Sequence, residues 1–178
     1  MRNLTRSLLM TGVAVGAVTY FGFPARLGLT KSQTQVSMPG DLELPTAQIQ
    51  GDRALVVEVE PAVIWPAVLE LKETYEKLLG TRLEVVYREA PALIVWQTVP
   101  PVRVEEKDMD LFTASIAVAL RPAGGATLIQ VRERYLVHEP RFGRAAAKLA
   151  LTASAGIVGL KLRSIRRTVT DASPSQDK

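Results

Sequence analysis

The stretch LFTASIAVALRPAGGATLIQVRERYLV, residues 111–137, determines the fold class more than any other part of this chain. Its first half places apolar side chains at every second position from residue 112 to 120, and its second half repeats this alternation from 127 to 137. A period of two is typical of strands with one buried face. Between the halves, RPAGGA supplies adjacent glycines that suit a tight turn. The stretch therefore predicts a long antiparallel hairpin with one largely apolar face.

A single long helix is predicted to follow the hairpin, from about residue 141 to residue 168. Its apolar stripe has small residues in the middle, and small residues against a sheet leave either close contact or space. We favour space, because a ligand could fill it. The stripe comprises Phe142, Ala145, Leu149, Thr152 or Ala153, Gly156, Leu160 and Ser164.

The end of this helix is strongly basic. Such side chains suit the negative end of the helix dipole, and they could also contact anionic lipid head groups or simply point to solvent. The residues are Lys161, Arg163, Arg166 and Arg167.

Three further strands are predicted upstream of the hairpin. RALVVEVE from residue 53 alternates as a half-buried strand, and residues 82–89 and 92–99 are rich in β-branched and aromatic side chains. With the helices, the order is strand, broken helix, strands, long helix. This order predicts an α+β domain, an antiparallel sheet with its helices gathered on one face.

The helix between the first two of these strands contains two prolines, in EVEPAVIWPAVLEL at residues 58–71. Pro61 suits a first helical turn, where its missing N–H costs no hydrogen bond. Pro66 lies further in and disfavours the α conformation of the preceding residue, so we expect the helix to bend or stop at Trp65. The indole would then point into the domain, either towards a ligand or simply as a packing residue.

The sequence predicts four parts along the chain. Residues 1–30 contain an uncharged apolar run at 8–23, preceded by two arginines, and are predicted to be a membrane anchor or signal-like segment. Residues 31–52 are polar and interrupted by prolines, which predicts a linker. The folded domain is placed at 53–169, and a disordered tail at 170–178.

A retained anchor is favoured over a cleaved signal, because Phe23-Pro24-Ala25 does not fit a cleavage site. A buried hydrophobic helix is the third alternative for this run. The arginines before the run slightly favour a cytoplasmic amino terminus, which would place the domain outside the cytoplasm.

Composition excludes several classes of protein. The chain has no cysteine and one histidine, His138, so disulfides, thiolate chemistry and multi-histidine metal sites are excluded. His138 at a strand end is read as a solvated or capping residue rather than a catalytic one. A net charge of +4 is too small an excess to indicate nucleic-acid binding. No metal and no cofactor is expected.

Three short motifs resemble a known family when they are taken together with the order of elements. They are MPGD at 38–41, PAVIWP at 61–66 and PAGGAT at 122–127. Residues 28–168 resemble the START-like, or SRPBCC, superfamily, in particular its bacterial polyketide cyclase/dehydrase and lipid-transport group. The resemblance implies a helix-grip fold, a curved sheet around the long helix with a cavity for a hydrophobic ligand. The sequence departs from the nearest subgroup after Leu71, so the resemblance does not extend to ligand identity.

The predicted cavity residues combine inward strand positions with the helix stripe. Glu133 is the unusual member, because it falls on an apolar strand face, where a carboxylate could act as general acid, base or hydrogen-bond partner. Alternatively, a nearby arginine pairs with it, or a bulge exposes it to water. The set is Trp65, Trp96, Phe112, Ile116, Val131, Glu133, Tyr135, Leu149, Ala153 and Gly156.

The leading functional hypothesis is a membrane-tethered binding or carrier domain for a hydrophobic small molecule such as a lipid, isoprenoid or polyketide-like compound. Its partners would be that molecule and a membrane, contacted through residues 8–23. The second hypothesis is a cyclase or dehydratase that uses Glu133, Tyr135 and Tyr87. The third is an interaction module without a ligand.

Overall fold

Residues 26–29, 34–107 and 109–172 are described by the structure, a computed structural model. Their strands belong to one sheet, and each hydrogen bonds to a neighbour along one edge or both. The strands are β1 (Arg26–Leu27), β2 (Ile49–Val57), β3 (Leu83–Glu89), β4 (Leu93–Thr98), β5 (Val102–Val104), β6 (Met109–Ala123) and β7 (Ala126–Val137).

The order across the sheet is β1-β2-β7-β6-β4-β3, with β5 paired to the first residues of β6. All neighbours are antiparallel except β1 and β2, which are parallel. The predicted hairpin is confirmed as the centre of this sheet, with Ile116 opposite Glu133 and Leu120 opposite Ile129. Its turn uses Gly124 and Gly125, which both have positive φ and so permit a two-residue connection.

Four helices accompany the sheet in the described part of the chain, together with a 3-10 turn at Glu105–Lys107. They are α1 (Gly40–Glu43), α2 (Pro61–Leu69), α3 (Leu71–Leu79) and α4 (Phe142–Ala172). The helix does not stop at Trp65, because α2 continues through Pro66 to Leu69 and α3 begins at Leu71. Pro66 and Ala62 are both exposed, so water can reach the Ala62 carbonyl that lacks its intrahelical donor.

The predicted stripe on the long helix is also wrong. Phe142, Leu149 and Leu160 are 60%, 71% and 66% exposed, so that side of α4 faces solvent. Both sides of this helix are rich in apolar and small residues, and periodicity alone therefore does not choose between them. The side that packs on the sheet carries Gly143, Ala147, Leu151, Ser154, Val158, Leu162 and Ile165.

Two close contacts between α4 and the sheet explain which side of the helix is buried. A Cβ on Gly143 would lie 2.2 Å from the carbonyl oxygen of Leu111, so only glycine allows the start of α4 to lie this close to β6. Leu151 occupies the space above Gly51 of β2, where an added Cβ would lie 2.2 Å from its Cδ1. These contacts fix the rotation of α4 on the sheet.

Part of the predicted linker belongs to the folded domain. Met38 and Leu44 are buried, and Gly40 lies against Ala117 on the face of the sheet opposite α4. Strand β2 also begins at Ile49, four residues before the predicted domain boundary. The polar composition of residues 31–52 was misleading because a few small and apolar side chains suffice to pack this segment on the sheet.

The predicted α+β class is confirmed, and a seven-stranded sheet with a long C-terminal helix across it fits the helix-grip fold. The helix runs to Ala172, three residues beyond the predicted end of the domain. The predicted anchor at residues 8–23 and most of the predicted tail lie outside the described residues.

Candidate ligand-binding site

A half-open pocket of about 280 Å³ lies between α3, β5, β6 and α4, and Leu149 at its rim is 71% exposed. All of its lining side chains are apolar, so it suits an apolar group rather than an ion or a sugar. The lining residues are Leu78, Leu79, Val102, Phe112, Ala146, Leu149, Ala150 and Ala153. We call this space the apolar cavity.

The sequence produces this cavity by a contrast in side-chain size. On α4, Ala146, Ala150 and Ala153 follow one another at helical spacing, and their short side chains leave room beside the helix. Larger side chains close the opposite wall, because α3 ends there in Leu78 and Leu79 before Gly80 turns the chain with a φ of 65°. The cavity is therefore set by small residues on one helix and by the end of another.

Phe112 connects the wall of the apolar cavity to a buried polar group. Its ring meets that of Tyr135 edge to face, with centroids 5.5 Å apart and an interplanar angle of 73°. The Tyr135 hydroxyl then donates to Oε2 of Glu133 at 2.7 Å. A carboxylate thus lies behind the aromatic wall.

Glu133 is fully buried and has four donors around its two oxygens. Oε1 accepts from the Arg53 guanidinium and from the Tyr75 hydroxyl, while Oε2 accepts from Tyr135 and from Ser154 Oγ at 2.8 Å. A carboxylate offers about four lone-pair positions; Arg53 and the two tyrosines occupy three, and the single Ser154 proton is shared between Glu133 and the Leu151 carbonyl at 2.9 Å. We call Arg53, Tyr75, Glu133, Tyr135 and Ser154 the inner cluster.

Arg53 also ties the inner cluster to α4. Its Nη2 donates to the Leu151 carbonyl and to Ser154 Oγ, each at 2.9 Å. Its Nε is buried and has no hydrogen-bond partner among the described residues. The guanidinium therefore anchors the helix to β2 as well as neutralising Glu133.

Burial and the nearby negative charge act in the same direction on the two phenols. Desolvation, reinforced by the charge of Glu133, holds the pKa of Tyr75 well above its ordinary value of 10.0. The same causes raise the pKa of Tyr135. Both hydroxyls therefore stay protonated at neutral pH and remain donors to the carboxylate.

A second groove reaches Arg53 from the other side of α4. It has a volume of about 220 Å³ and lies between the β1–β2 edge and the second half of the helix. Apart from its two arginines it is lined by apolar side chains and glycines. Its lining residues are Leu27, Gly28, Arg53, Ala54, Leu55, Gly159, Leu162 and Arg163.

The structure brings together some of the predicted site residues and separates others. Phe112, Leu149 and Ala153 lie on the wall of the apolar cavity, and Glu133 and Tyr135 lie behind it. The sequence alternative that an arginine pairs with Glu133 is confirmed. Other predicted residues are buried in the main core, namely Trp65, Trp96, Ile116 and Val131.

Two predicted residues lie away from the inner cluster. Gly156 is exposed on α4, and an added Cβ there would meet nothing within 4 Å. The Tyr87 hydroxyl donates to Glu89 at 3.3 Å on the exposed strand β3, so Tyr87 is not a partner of Glu133. The reason is that β3 is an edge strand of which only Leu83 is buried, so alternation along it does not turn Tyr87 towards the core.

The two remaining residues singled out from the sequence, Trp65 and His138, each have a partner close by. Trp65 is 8% exposed, with the Arg88 guanidinium carbon 5.9 Å from its ring centroid. His138 Nε2 lies 2.8 Å from Thr113 Oγ1. In the described part of the chain, no group of three or more acidic or histidine side chains could hold a metal ion.

Sequence reasoning missed Arg53, Tyr75 and Ser154. One signal was available for Arg53, because it has the same parity as Leu55 and Val57 on β2 and so shares their inward face. The pairing of Arg53 with Glu133 joins residues 80 positions apart. No local pattern predicts such a pair before the β2–β7 neighbours are known.

Comparison with known proteins gives similarity to solved structures only, since no family model and no curated protein matches the sequence. A START superfamily protein from Mycobacterium smegmatis is 14% identical, covers 67% of this chain and 98% of its own, and has a TM-score of 0.45. A polyketide-cyclase-like protein from Corynebacterium glutamicum is 11% identical over 72% of this chain and 97% of its own, with a TM-score of 0.46.

An aromatase/cyclase from a Streptomyces species is 10% identical over 67% of this chain and 94% of its own, with a TM-score of 0.38. At identities below 25% and TM-scores below 0.5, this likeness assigns no function to the chain.

Proposed function

We propose that this chain is a membrane-tethered binding or carrier domain for a hydrophobic small molecule, such as a lipid, an isoprenoid or a polyketide-like compound. The observation that carries the proposal is the apolar cavity, whose lining side chains are all apolar. Its volume of about 280 Å³ is close to the lower end of the roughly 300–1,000 Å³ usual for ligand sites. It therefore suits one chain or ring system of such a molecule.

The inner cluster supports binding better than acid–base catalysis. Glu133 is fully buried and both of its oxygens already accept from protein donors, so the carboxylate would have to lose a partner before it accepted a substrate proton. In a carrier, the cluster instead fixes α4 and the aromatic wall beside the ligand.

Ligand binding can be tested by filling the apolar cavity. The full chain is purified, bound molecules are identified by native mass spectrometry, and the affinity for the most abundant one is measured. Ala150→Phe places a ring in the cavity and should lower that affinity at least tenfold. Thr152→Phe is the matched control, because Thr152 is exposed on the same helix and does not line the cavity.

Equal affinity of the two variants would refute the cavity as the binding site. A wild-type chain that carries no small molecule and binds none from a total lipid extract would refute the carrier function itself.

The tether is proposed from the uncharged run at residues 8–23, with the domain outside the cytoplasm. A chain lacking residues 1–25, which keeps β1, should move from the membrane fraction to the soluble fraction. Protease added outside intact cells should degrade the domain of the full chain. Retention of the shortened chain in membranes would argue against the anchor, and full protease protection would argue against the orientation.

A further inference from the structure

One side of α4 is apolar and exposed along much of its length. Phe142, Leu149 and Leu160 are 60%, 71% and 66% exposed, and Ile157 beside them is 46% exposed. We call these four residues the outer face of α4. Exposed apolar area arranged contiguously along a helix usually marks a contact with a protein or a membrane.

The outer face lies opposite the side of α4 that packs on the sheet. Phe142, Leu149 and Leu160 are separated by 7 and 11 positions, close to two and three turns, so they fall on one line along the helix. By length and composition, residues 142–168 form the one helix of the described residues that could cross a membrane. Because its inner side is part of the domain core, α4 is placed to lie on a bilayer rather than to cross it.

As far as Thr170, the charges on α4 are of one sign. No acidic residue occurs between Arg141 and Thr170, and two of the basic residues, Arg163 and Arg167, lie at helical positions close to the line of the outer face. The basic residues in this range are Arg141, Arg144, Lys148, Lys161, Arg163, Arg166 and Arg167. An apolar line accompanied only by cations fits an anionic lipid surface.

The short connection to the proposed tether places this side of the domain near the bilayer. Three residue steps from Phe23 to Arg26 span at most about 11 Å, and Arg26 begins β1. Strand β1 shares the second groove with the second half of α4, where Leu27 and Gly159 both line it. If residues 8–23 lie in a membrane, the end of α4 is held close to the surface of that membrane.

We propose that the outer face of α4 docks on an anionic lipid bilayer, a proposal that rests on the tethered carrier described above. The apolar line enters the boundary between head groups and acyl chains, while Arg163 and Arg167 contact lipid phosphates. The apolar cavity and the second groove flank the outer face on opposite sides of the helix. Docking would therefore bring both openings to the lipid surface, where a hydrophobic ligand can transfer without crossing water.

The chain has no cysteine, so a single introduced thiol can report on the outer face. An environment-sensitive fluorophore is attached to the full chain at Leu160→Cys or Phe142→Cys. The matched control is Glu84→Cys, exposed on β3 at the other edge of the sheet from β1. Each labelled chain is mixed with vesicles of three parts phosphatidylcholine to one part phosphatidylglycerol, with and without brominated acyl chains as quenchers.

With vesicles, we expect the fluorophores at positions 160 and 142 to shift to the blue and to be quenched several-fold more by brominated lipid than the one at 84. Adding Arg163→Glu and Arg167→Glu to the Leu160→Cys chain should reduce the shift at least threefold. Vesicles of phosphatidylcholine alone should give a smaller shift.

Three results would overturn the docking proposal. If the chain sediments with vesicles while the fluorophore at 160 stays in water, the tether stands and docking fails. If the chain does not sediment with vesicles, both proposals fail. If the fluorophores at 160 and 142 are already shifted without vesicles, another part of the chain or a second copy covers the outer face.

Discussion

Arg132 and Glu133 are consecutive residues of β7, both are buried, and their side chains lie on opposite faces of the sheet. Glu133 lies under α4 within the inner cluster. On the other face, Arg132 donates to Asp52 and to Asp41, each at 2.7 Å, and we call these three residues the outer cluster. Two buried charges of opposite sign thus anchor two different layers to the same strand.

The two clusters differ in what surrounds the central charge. Arg132 also donates to the carbonyls of Thr34 and Val36, at 2.7 and 2.9 Å. Its guanidinium therefore has several acceptors, and through them the outer cluster ties the segment before β2 to the sheet. Glu133 is surrounded by hydroxyl donors as well as by a cation. The outer cluster holds the fold together, whereas the inner cluster also borders the apolar cavity.

The largest effect is expected from Arg132→Met. This change leaves the Asp52 carboxylate buried without its cation and removes one of the two cations beside Asp41, so the free energy of unfolding should fall by about 3–5 kcal/mol. Chemical denaturation measures it. Arg134→Met is the control, because Arg134 bonds Asp41 at 2.9 Å but its side chain is 13% exposed. Equal losses for the two variants would contradict the central role given to Arg132.

The second prediction concerns the charge of the inner cluster. Glu133→Gln keeps the shape but weakens hydrogen bonds from one cation and three hydroxyls, and should lower the free energy of unfolding by about 2–3 kcal/mol. Replacing the pair, Arg53→Met with Glu133→Leu, should recover only part of that loss, because no charge is left buried but the hydroxyls of Tyr75 and Tyr135 lose their acceptor. The corresponding outer pair, Arg132→Met with Asp52→Leu, should not recover, since Asp41 loses one of its two cations and the carbonyls of Thr34 and Val36 lose their donor.

If both double variants recover the free energy of unfolding lost in the single variants, the inner and outer clusters do not differ in how they stabilise the fold. Recovery by neither would mean that the inner charge pair stabilises the fold beyond the cost of its desolvation.

Much of the sheet could be predicted from the sequence, and the hairpin shows why. Period-two alternation and adjacent glycines are local signals, so the pairing of β6 with β7 and the turn at Gly124 and Gly125 followed from them. The rotation of α4 did not, because both of its sides are apolar. What decides it is the contact of Gly143 with the Leu111 carbonyl, which only the assembled fold contains.

The candidate site was predictable to a similar extent. Strand alternation placed Phe112, Glu133 and Tyr135 on the inner face, and the structure agrees. The partners of Glu133 come from β2, α3 and α4, so they depend on how distant elements pack. Sequence periodicity gives the direction of a side chain but not the identity of its neighbour.

The third prediction is a dependence on alkaline pH that belongs to the inner cluster. The pKa values of Tyr75 and Tyr135 are raised in the folded chain, so their contribution to stability is complete below the unfolded pKa near 10 and is lost as pH rises above it. The loss approaches about 1.4 kcal/mol per pH unit for each tyrosine. The slope of the free energy of unfolding against pH should therefore become shallower by one such contribution in Tyr75→Phe, and likewise in Tyr135→Phe.

Chemical denaturation at several pH values between about 9 and about 11 measures this slope. A tyrosine with an ordinary pKa titrates over roughly these two pH units. Tyr87→Phe, on the exposed strand β3, should leave the profile as in the wild type. An unchanged slope in both buried variants would mean that neither burial nor Glu133 raises the pKa of these phenols in the folded chain.

The smallest effect is expected at Ser154, the residue that joins α4 to the inner cluster. Ser154→Ala removes a donor to Glu133 Oε2 at 2.8 Å and an acceptor for Arg53 Nη2 at 2.9 Å. Each lost hydrogen bond costs about 0.5–1.5 kcal/mol, and the higher helix propensity of alanine offsets a few tenths of that. We expect a net loss of about 1 kcal/mol, measured by denaturation. Ser164→Ala, exposed on the same helix, should give no loss, because it gains the same propensity without breaking either bond. If Ser154→Ala is instead as stable as Ser164→Ala, the inner cluster does not hold α4, and the two clusters differ only in the sign of their central charge.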